Sequence, residues 1–409
     1  MKTRAATTAA AATTTAAALA AAALLLLAGC ASTPPPPPGT PAGDPIADGR
    51  ARLAAAPKKD KVLHQYRLAA TTLRRGEPAE AKALLDDALM TAAANYGNVN
   101  AEAAKSRRMF RRESDKPFIG EPYERIMANY YRAILYWRDG EPDNARALLR
   151  TAALLDSDTG EKTYAADYVL CDYLDGLATA KLGGDGSDAF ARAAASARAQ
   201  GRPAPPPCDP AANVLLFVEF GHGPRKTASG QYGEMLRFQP GPATAAAARL
   251  EIAGRAIALP AYDDLYFQAT TRGGRVMDHI LGNKAVFKTG ADTVGDAALA
   301  GAYIAARGHG EDSGKAALAL ATVGLIGKLT AAATTPAADT RQWDNLPRYL
   351  GFHALRLPPG DHPATLTFLD AAGRPLAALT QRFTITVAAP PPPGEAPRDT
   401  IIHRSELTQ

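Results

Sequence analysis

One phrase is written twice in this chain. It reads GEPAEAKALLDDA at Gly76–Ala88 and GEPDNARALLRTA at Gly140–Ala152, with eight of thirteen positions identical and Lys82 facing Arg146 at a ninth. The phrase constrains the backbone. Gly76 and Gly140 suit the left-handed residue that ends a helix, which is cheap only for glycine. Pro78 and Pro142 suit the first turn of the next helix, where no N–H is needed. Ala81, Leu85 and Ala88, matched by Ala145, Leu149 and Ala152, put two small residues around a large apolar one on one side of that helix. Ala69 and Ala133, seven positions before each glycine, put a small residue on the preceding helix. The pattern predicts two pairs of closely packed antiparallel helices.

This spacing resembles the tetratricopeptide repeat, a helix–turn–helix unit of ~34 residues. That family often carries Tyr four positions before the glycine; Tyr136 fits and Thr72 departs. A weaker third copy, YLDGLATAKLGGDGSDAFARAAAS, matches at Gly176 and Gly183, but one extra residue shifts Ala189 out of register. The first two glycines are 64 apart rather than ~34, so the array is interrupted. A generic Ala-rich helical bundle is the competing reading. The resemblance implies a stack whose concave face binds peptides or partner helices. The layout is similar to that of bacterial outer-membrane lipoproteins with a helical-repeat half and a β-rich half.

The N-terminus reads as an address. Lys2 and Arg4 precede an Ala/Thr and then Leu-rich run ending LLLLAGC, a secretory-signal pattern. Leu27-Ala28-Gly29-Cys30 resembles a lipobox, which implies cleavage before Cys30 and acylation of that residue. Ala31 rather than Asp follows, which favours the outer membrane, periplasmic side, in the usual bacterial sorting pattern. Acyl chains contribute ~0.8 kcal/mol per buried CH₂, enough for anchoring without a spanning helix. Pro34–Pro38 favour extended polyproline, a tether. The net charge of +5 is mild, and the extracytoplasmic address excludes nucleic acid as a partner. Two further cysteines, Cys171 and Cys208, form an even pair in an oxidising compartment, so a disulfide and two unpaired buried thiols are both open.

The interruption holds KSRRMFRRESDK. On a helix Arg107/Arg111 and Arg108/Arg112 form a basic strip suited to anionic lipid or glycan, or simply a solvated face. The next segment recurs at helical spacing through Tyr123, Ile126, Met127, Tyr130, Ile134 and Trp137, a core face. Tyr131, Arg132 and Tyr136 become the first choice for a partner surface, because tyrosine gives contact area at low entropy cost.

After GRPAPPPCDP the pattern changes. NVLLFVEFG, EMLRF, RLEIAGRAIAL and DDLYFQAT read as strands, VGDAALAGAYIAARG as a helix, and KAALALATVGLIGK as a buried helix or a shallow membrane contact. In PATLTFLD and QRFTITVA, apolar Leu366, Phe368, Phe383, Ile385 and Val387 alternate with polar residues as in half-buried strands. His222 and His309 each sit between glycines as loop residues; no metal spacing, no nucleophile motif and no cofactor signature occurs, so the chain is read as a non-enzyme. The expectation is an α+β multidomain protein: signal 1–29, tether 30–58, tetratricopeptide-like domain 59–200, linker 201–212, mainly antiparallel α+β domain 213–388 and disordered tail 389–409. Its expected role is a scaffold or adaptor for another envelope protein in assembly or secretion, with an anionic-lipid or glycan module and a hydrolase as alternatives.

Overall fold

The computed structural model describes residues 43–97, 113–156, 167–242, 244–270, 337–393 and 397–408. The signal, Cys30, the basic strip at 107–112, His309 and the two segments at 294–308 and 315–328 lie outside these. The fold is α+β, and Pro45–Gln409 form one compact unit.

The helices come first: α1 (Pro45–Ala55), α2 (Lys61–Arg74), α3 (Pro78–Gly97), α4 (Pro122–Arg138), α5 (Pro142–Asp156), α6 (Val169–Lys181) and α7 (Ser187–Ala199). The turns between α2 and α3 and between α4 and α5 use Gly76 at φ +82° and Gly140 at φ +84°. Ala81, Leu85, Ala88, Ala145, Leu149 and Ala152 are all buried, as are Ala69 and Ala133. The third turn places Gly183 at φ +81°. There Asp185 accepts hydrogen bonds from Ser187 N–H (2.9 Å) and Oγ (3.0 Å) and opens α7.

The expected tether ends earlier than 58. Pro45 starts α1, Asp48 and Arg52 suit its two termini, and Ile46 is buried. Gly49 lies so close to Leu68 of α2 that a Cβ would meet its Cδ1 at 2.7 Å, which is how α1 packs down.

Ten strands follow among the described residues: β1 (Val214–His222), β2 (Arg225–Ser229), β3 (Met235–Gln239), β4 (Ala247–Ile252), β5 (Arg255–Leu259), β6 (Asp263–Asp264), β7 (Pro347–Leu355), β8 (Gly360–Leu369), β9 (Gln381–Val387) and β10 (Thr400–Ser405). They form a sheet ordered β10-β1-β7-β6, another ordered β5-β4-β8-β9, and a β2-β3 hairpin. All pairings are antiparallel except β1 with β10. DDLYFQAT is only briefly a strand. Asp264 Oδ1 accepts the Tyr266 N–H at 2.9 Å and starts a short helix, α8 (Leu265–Thr270).

Strand β1 explains the layering. Leu215 and Phe217 join the helices in one core, whereas Val214, Leu216, Val218 and Phe220 join β4, β8 and β9 in another. The order is therefore helices, first sheet, second sheet. A strand covered on both faces reads as a continuous apolar run rather than an alternating one. Because one core draws on Tyr66, Tyr130 and Leu174 together with Phe217, Trp343 and Phe352, residues 201–212 do not separate two domains.

The C-terminal tail is also a correction. Thr400–Ser405 form an edge strand in register with Val214–Glu219, and Ser405 and Glu406 are buried. Its β-branched Thr400, Ile401 and Ile402 favour a strand, while Asp399 is held by Trp137 Nε1 and Lys181 Nζ, each at 2.8 Å.

Candidate functional site

The α4 surface read as a partner face is occupied by the chain itself. Tyr131 is buried, with ring centroids 5.8 Å from Trp343 and 6.2 Å from His403. Trp343 also stacks on Tyr66 of α2 at 4.6 Å. Arg132 is buried too; its Nε donates to Asp86 Oδ1 at 2.6 Å, and its guanidinium lies 3.5 Å over the Tyr136 ring. A helix with aromatics on two sides packs on two sides: α4 meets its neighbouring helices with one and the first sheet with the other. Tyr131 and Arg132 are withdrawn as an exposed surface.

Under this packing lies a buried charged centre. Odd-numbered residues of β1 face the helices, and Glu219 is one of them. Arg74, near the end of α2, donates through Nε to Glu219 Oε2 at 3.0 Å, through a second nitrogen to the Tyr131 hydroxyl at 3.2 Å, and through a third to the Asn345 carbonyl at 2.7 Å. His403 Nε2 approaches Glu219 Oε1 to 3.1 Å, off the line of a hydrogen bond. Burial pushes the Glu219 carboxyl up, but Arg74 and His403 outweigh it and hold it well below the usual carboxylate range. Burial pushes the Tyr131 hydroxyl far up, so it stays neutral.

Arg74 is also the inner wall of an open cleft of about 780 Å³ at the seam of α2, the far end of β1 and the turn before β9. A second wall comes from Leu376 and Leu379, around the single 3-10 turn Ala377–Leu379, and from Leu407. Exposed Arg75 and His222 stand at its rim, and Pro45 of α1 lies beside them. The buried Glu406 carboxylate accepts the Gly221 N–H at 2.6 Å and closes the floor. Arg74 is matched by Glu219, and Asp344 by Arg67 at 2.8 Å. The cleft is thus nearly neutral, apolar on one side, with Arg75 as the cation at its mouth. A volume in this range suits a few side chains or a small ligand.

No family model matches this chain, and neither does any curated protein or solved structure. The site must therefore be read from its own chemistry.

Among the described residues no group of three or more His, Cys, Asp or Glu could hold a metal ion, and no helix is long and apolar enough to cross a membrane. Cys171 and Cys208 are both free thiols, contrary to a disulfide. Cys171 is buried in α6 and Cys208 is half-buried against the same core, and burial pushes both thiols up, away from reactivity.

Sequence reasoning singled out Tyr131, as an exposed partner face, and missed the charged residues of the centre, Arg74, Glu219 and His403. Glu219 inside NVLLFVEFG was the available signal, because a lone carboxylate in a buried strand demands a partner. Nothing local to Arg74 or His403 marks them as that partner.

Proposed function

We propose that this chain is a lipid-anchored adaptor on the periplasmic side of the bacterial outer membrane, holding a short segment of another envelope protein in the seam cleft. The observation that supports this reading most is the cleft itself, an open space with an apolar wall and a cationic rim. The α2/α3, α4/α5 and α6/α7 pairs are read as tetratricopeptide-like repeats. In such arrays one face of each pair lines the ligand surface. Here Tyr66, Tyr131 and Tyr173 on α2, α4 and α6 meet Trp343 and Phe352, so the partner role passes to the seam. No catalytic role is proposed.

The test is site-specific photo-cross-linking in intact cells from position Leu379, with Arg198 on the outer side of α7 as control. One discrete protein adduct from Leu379 alone, lost in Arg75→Glu, supports the adaptor. No adduct, or the same adducts from both positions, overturns it. The second reading rests on the sequence of the basic strip. Replacing Arg107, Arg108, Arg111 and Arg112 with Ser leaves the Leu379 adduct intact under the adaptor reading and abolishes salt-sensitive binding to anionic vesicles under the other. Cys30→Ser should release the protein from membranes.

A further inference from the structure

The seam cleft has two unlike sides. Arg74 and Arg75 end α2 and stand one helical step, ~100°, apart. Arg74 turns inward onto Glu219, while Arg75 is exposed at the mouth. Gly76, at φ +82°, then turns the chain away. The other side comes from the turn before β9 and from the residue after Glu406: Leu376, Leu379 and Leu407. All three are half-buried, so each still presents apolar surface to the open space. Leu376 and Leu379 pack their inner sides on the core of the second sheet, which fixes that wall in place.

Most polar groups along the α2 side are already committed within the molecule. Arg74 bonds Glu219, the Tyr131 hydroxyl and the Asn345 carbonyl. The Asn345 side chain donates to the Arg67 carbonyl at 2.9 Å and accepts from Trp343 Nε1 at 2.7 Å. The Thr71 hydroxyl donates to the same Arg67 carbonyl at 3.0 Å. Asp344 is paired with Arg67, and Glu406 holds the Gly221 N–H. Of the ionisable groups lining the cleft, the side chains of Arg75 and His222 are the two that bond to no other described residue. Arg75 is a permanent cation with a fork of donors.

We propose that the cleft takes an extended segment of the partner protein in which acidic and apolar side chains alternate, a carboxylate meeting Arg75 and its apolar neighbours meeting Leu376, Leu379 and Leu407. The proposal rests on the adaptor reading and names the chemistry of its partner. Successive side chains of an extended chain point to opposite sides. A segment lying between a cationic side and an apolar side satisfies both only when its residues alternate. Blocks of each kind would set a carboxylate against the leucines, where it loses water without gaining a partner. The fork of Arg75 fits a carboxylate and repels a lysine. The leucine wall supplies affinity through buried apolar area, and the exposed cation supplies the choice of sign.

The test is fluorescence anisotropy of the purified full chain with labelled hexapeptides flanked by Gly-Ser. Alternating Leu/Glu should bind. The same residues in two blocks, and alternating Leu/Lys, should each bind about tenfold more weakly or worse. In Arg75→Glu the preference between Leu/Glu and Leu/Lys should reverse, which a merely misfolded variant could not produce. Leu379→Asp should weaken the Leu/Glu peptide without any change at Arg75. Equal binding of the block and alternating peptides, or an unreversed preference in Arg75→Glu, overturns the inference and leaves the adaptor reading standing. Binding of none of the hexapeptides also overturns it, and the photo-adduct from Leu379 then decides the adaptor reading separately.

Discussion

Glu219 and Asp263 lie in one row of the same sheet. Both pair with Leu350 of β7, one from each side, so they stand about two strand spacings, ~10 Å, apart. Both are buried and both face the helices. Yet one is held as a firm anion and the other is pushed toward neutrality. The difference lies in the cations: Arg74 and His403 face Glu219. Arg74 comes down from α2 onto Glu219, whereas Asp263 is bonded by two amides of α6 and its neighbouring cation, Arg202, is bonded to Asp264. Burial acts on both in the same direction, and the local partner decides the outcome. The Arg74–Glu219 pair is a rivet between α2 and the first sheet, whereas Asp263 caps α6.

The largest expected effect comes from breaking the rivet. Arg74→Met strands a buried charge and should cost about 3–5 kcal/mol of unfolding free energy. Denaturant unfolding of the single variant and of Arg74→Met with Glu219→Leu would read it. The double variant should recover most of the loss. A single-variant loss under about 1 kcal/mol would show that Glu219 needs no cation.

The pH dependence of stability should separate the two residues by sign. The folded Asp263 carboxyl titrates at about 7 rather than its ordinary 3.8. Its contribution is full below the ordinary value and is lost as pH rises through about 7. Glu219 is depressed, so its contribution is full above the ordinary 4.5 and lost as pH falls below that. Denaturant midpoints should therefore decline from pH 5 to 8, by no more than about 1.4 kcal/mol per pH unit for each proton released. They should also decline on strong acidification. Asp263→Asn, where it folds, should flatten the first decline and leave the second. A profile that rises from pH 5 to 8 would reverse the assignment.

Smaller effects belong to the turns that bring α2 and α4 to these sites. An alanine at Gly76 or Gly140 must adopt a left-handed conformation, at roughly 1–2 kcal/mol. At Gly76 the added Cβ would meet open space, whereas at Gly140 it would come 3.1 Å from Arg398 Nε. Thermal melts should rank Gly140→Ala as equal to or worse than Gly76→Ala. The smallest expected effect is none: reductant should leave the melting temperature unchanged, because Cys171 and Cys208 are not bonded.

Legibility followed locality. The turn glycines, the proline starts and the buried Ala/Leu seam are events within a few residues, and they appear in the sequence as a repeated phrase. The alternation in β8 and β9 is likewise local, and Leu366, Phe368, Ile385 and Val387 are buried accordingly. The tail and the α1 segment were read as disordered or tethered because proline and polar residues dominate their composition. Each gains order from a surface elsewhere, the edge of β1 for one and Leu68 of α2 for the other. The aromatic helix showed two faces in the sequence, and only its outer partner was misread. The disulfide failed for a related reason: an even cysteine count says nothing about where two Cα atoms end up.

What the sequence determined by itself was the helix pairs around the repeated phrase and the strands β1, β3, β4, β5, β8 and β9, since glycine φ, proline geometry and side-chain period act on neighbouring residues. The tertiary structure decided which surfaces are spent inside the molecule. It brought Arg74 to Glu219 across 145 residues and Asp263 to the start of α6 across 94. Neither pairing has a local signature, because a charged side chain is indifferent to its own backbone. Its state is set by whichever dipole or charge the packing delivers to it after water is gone.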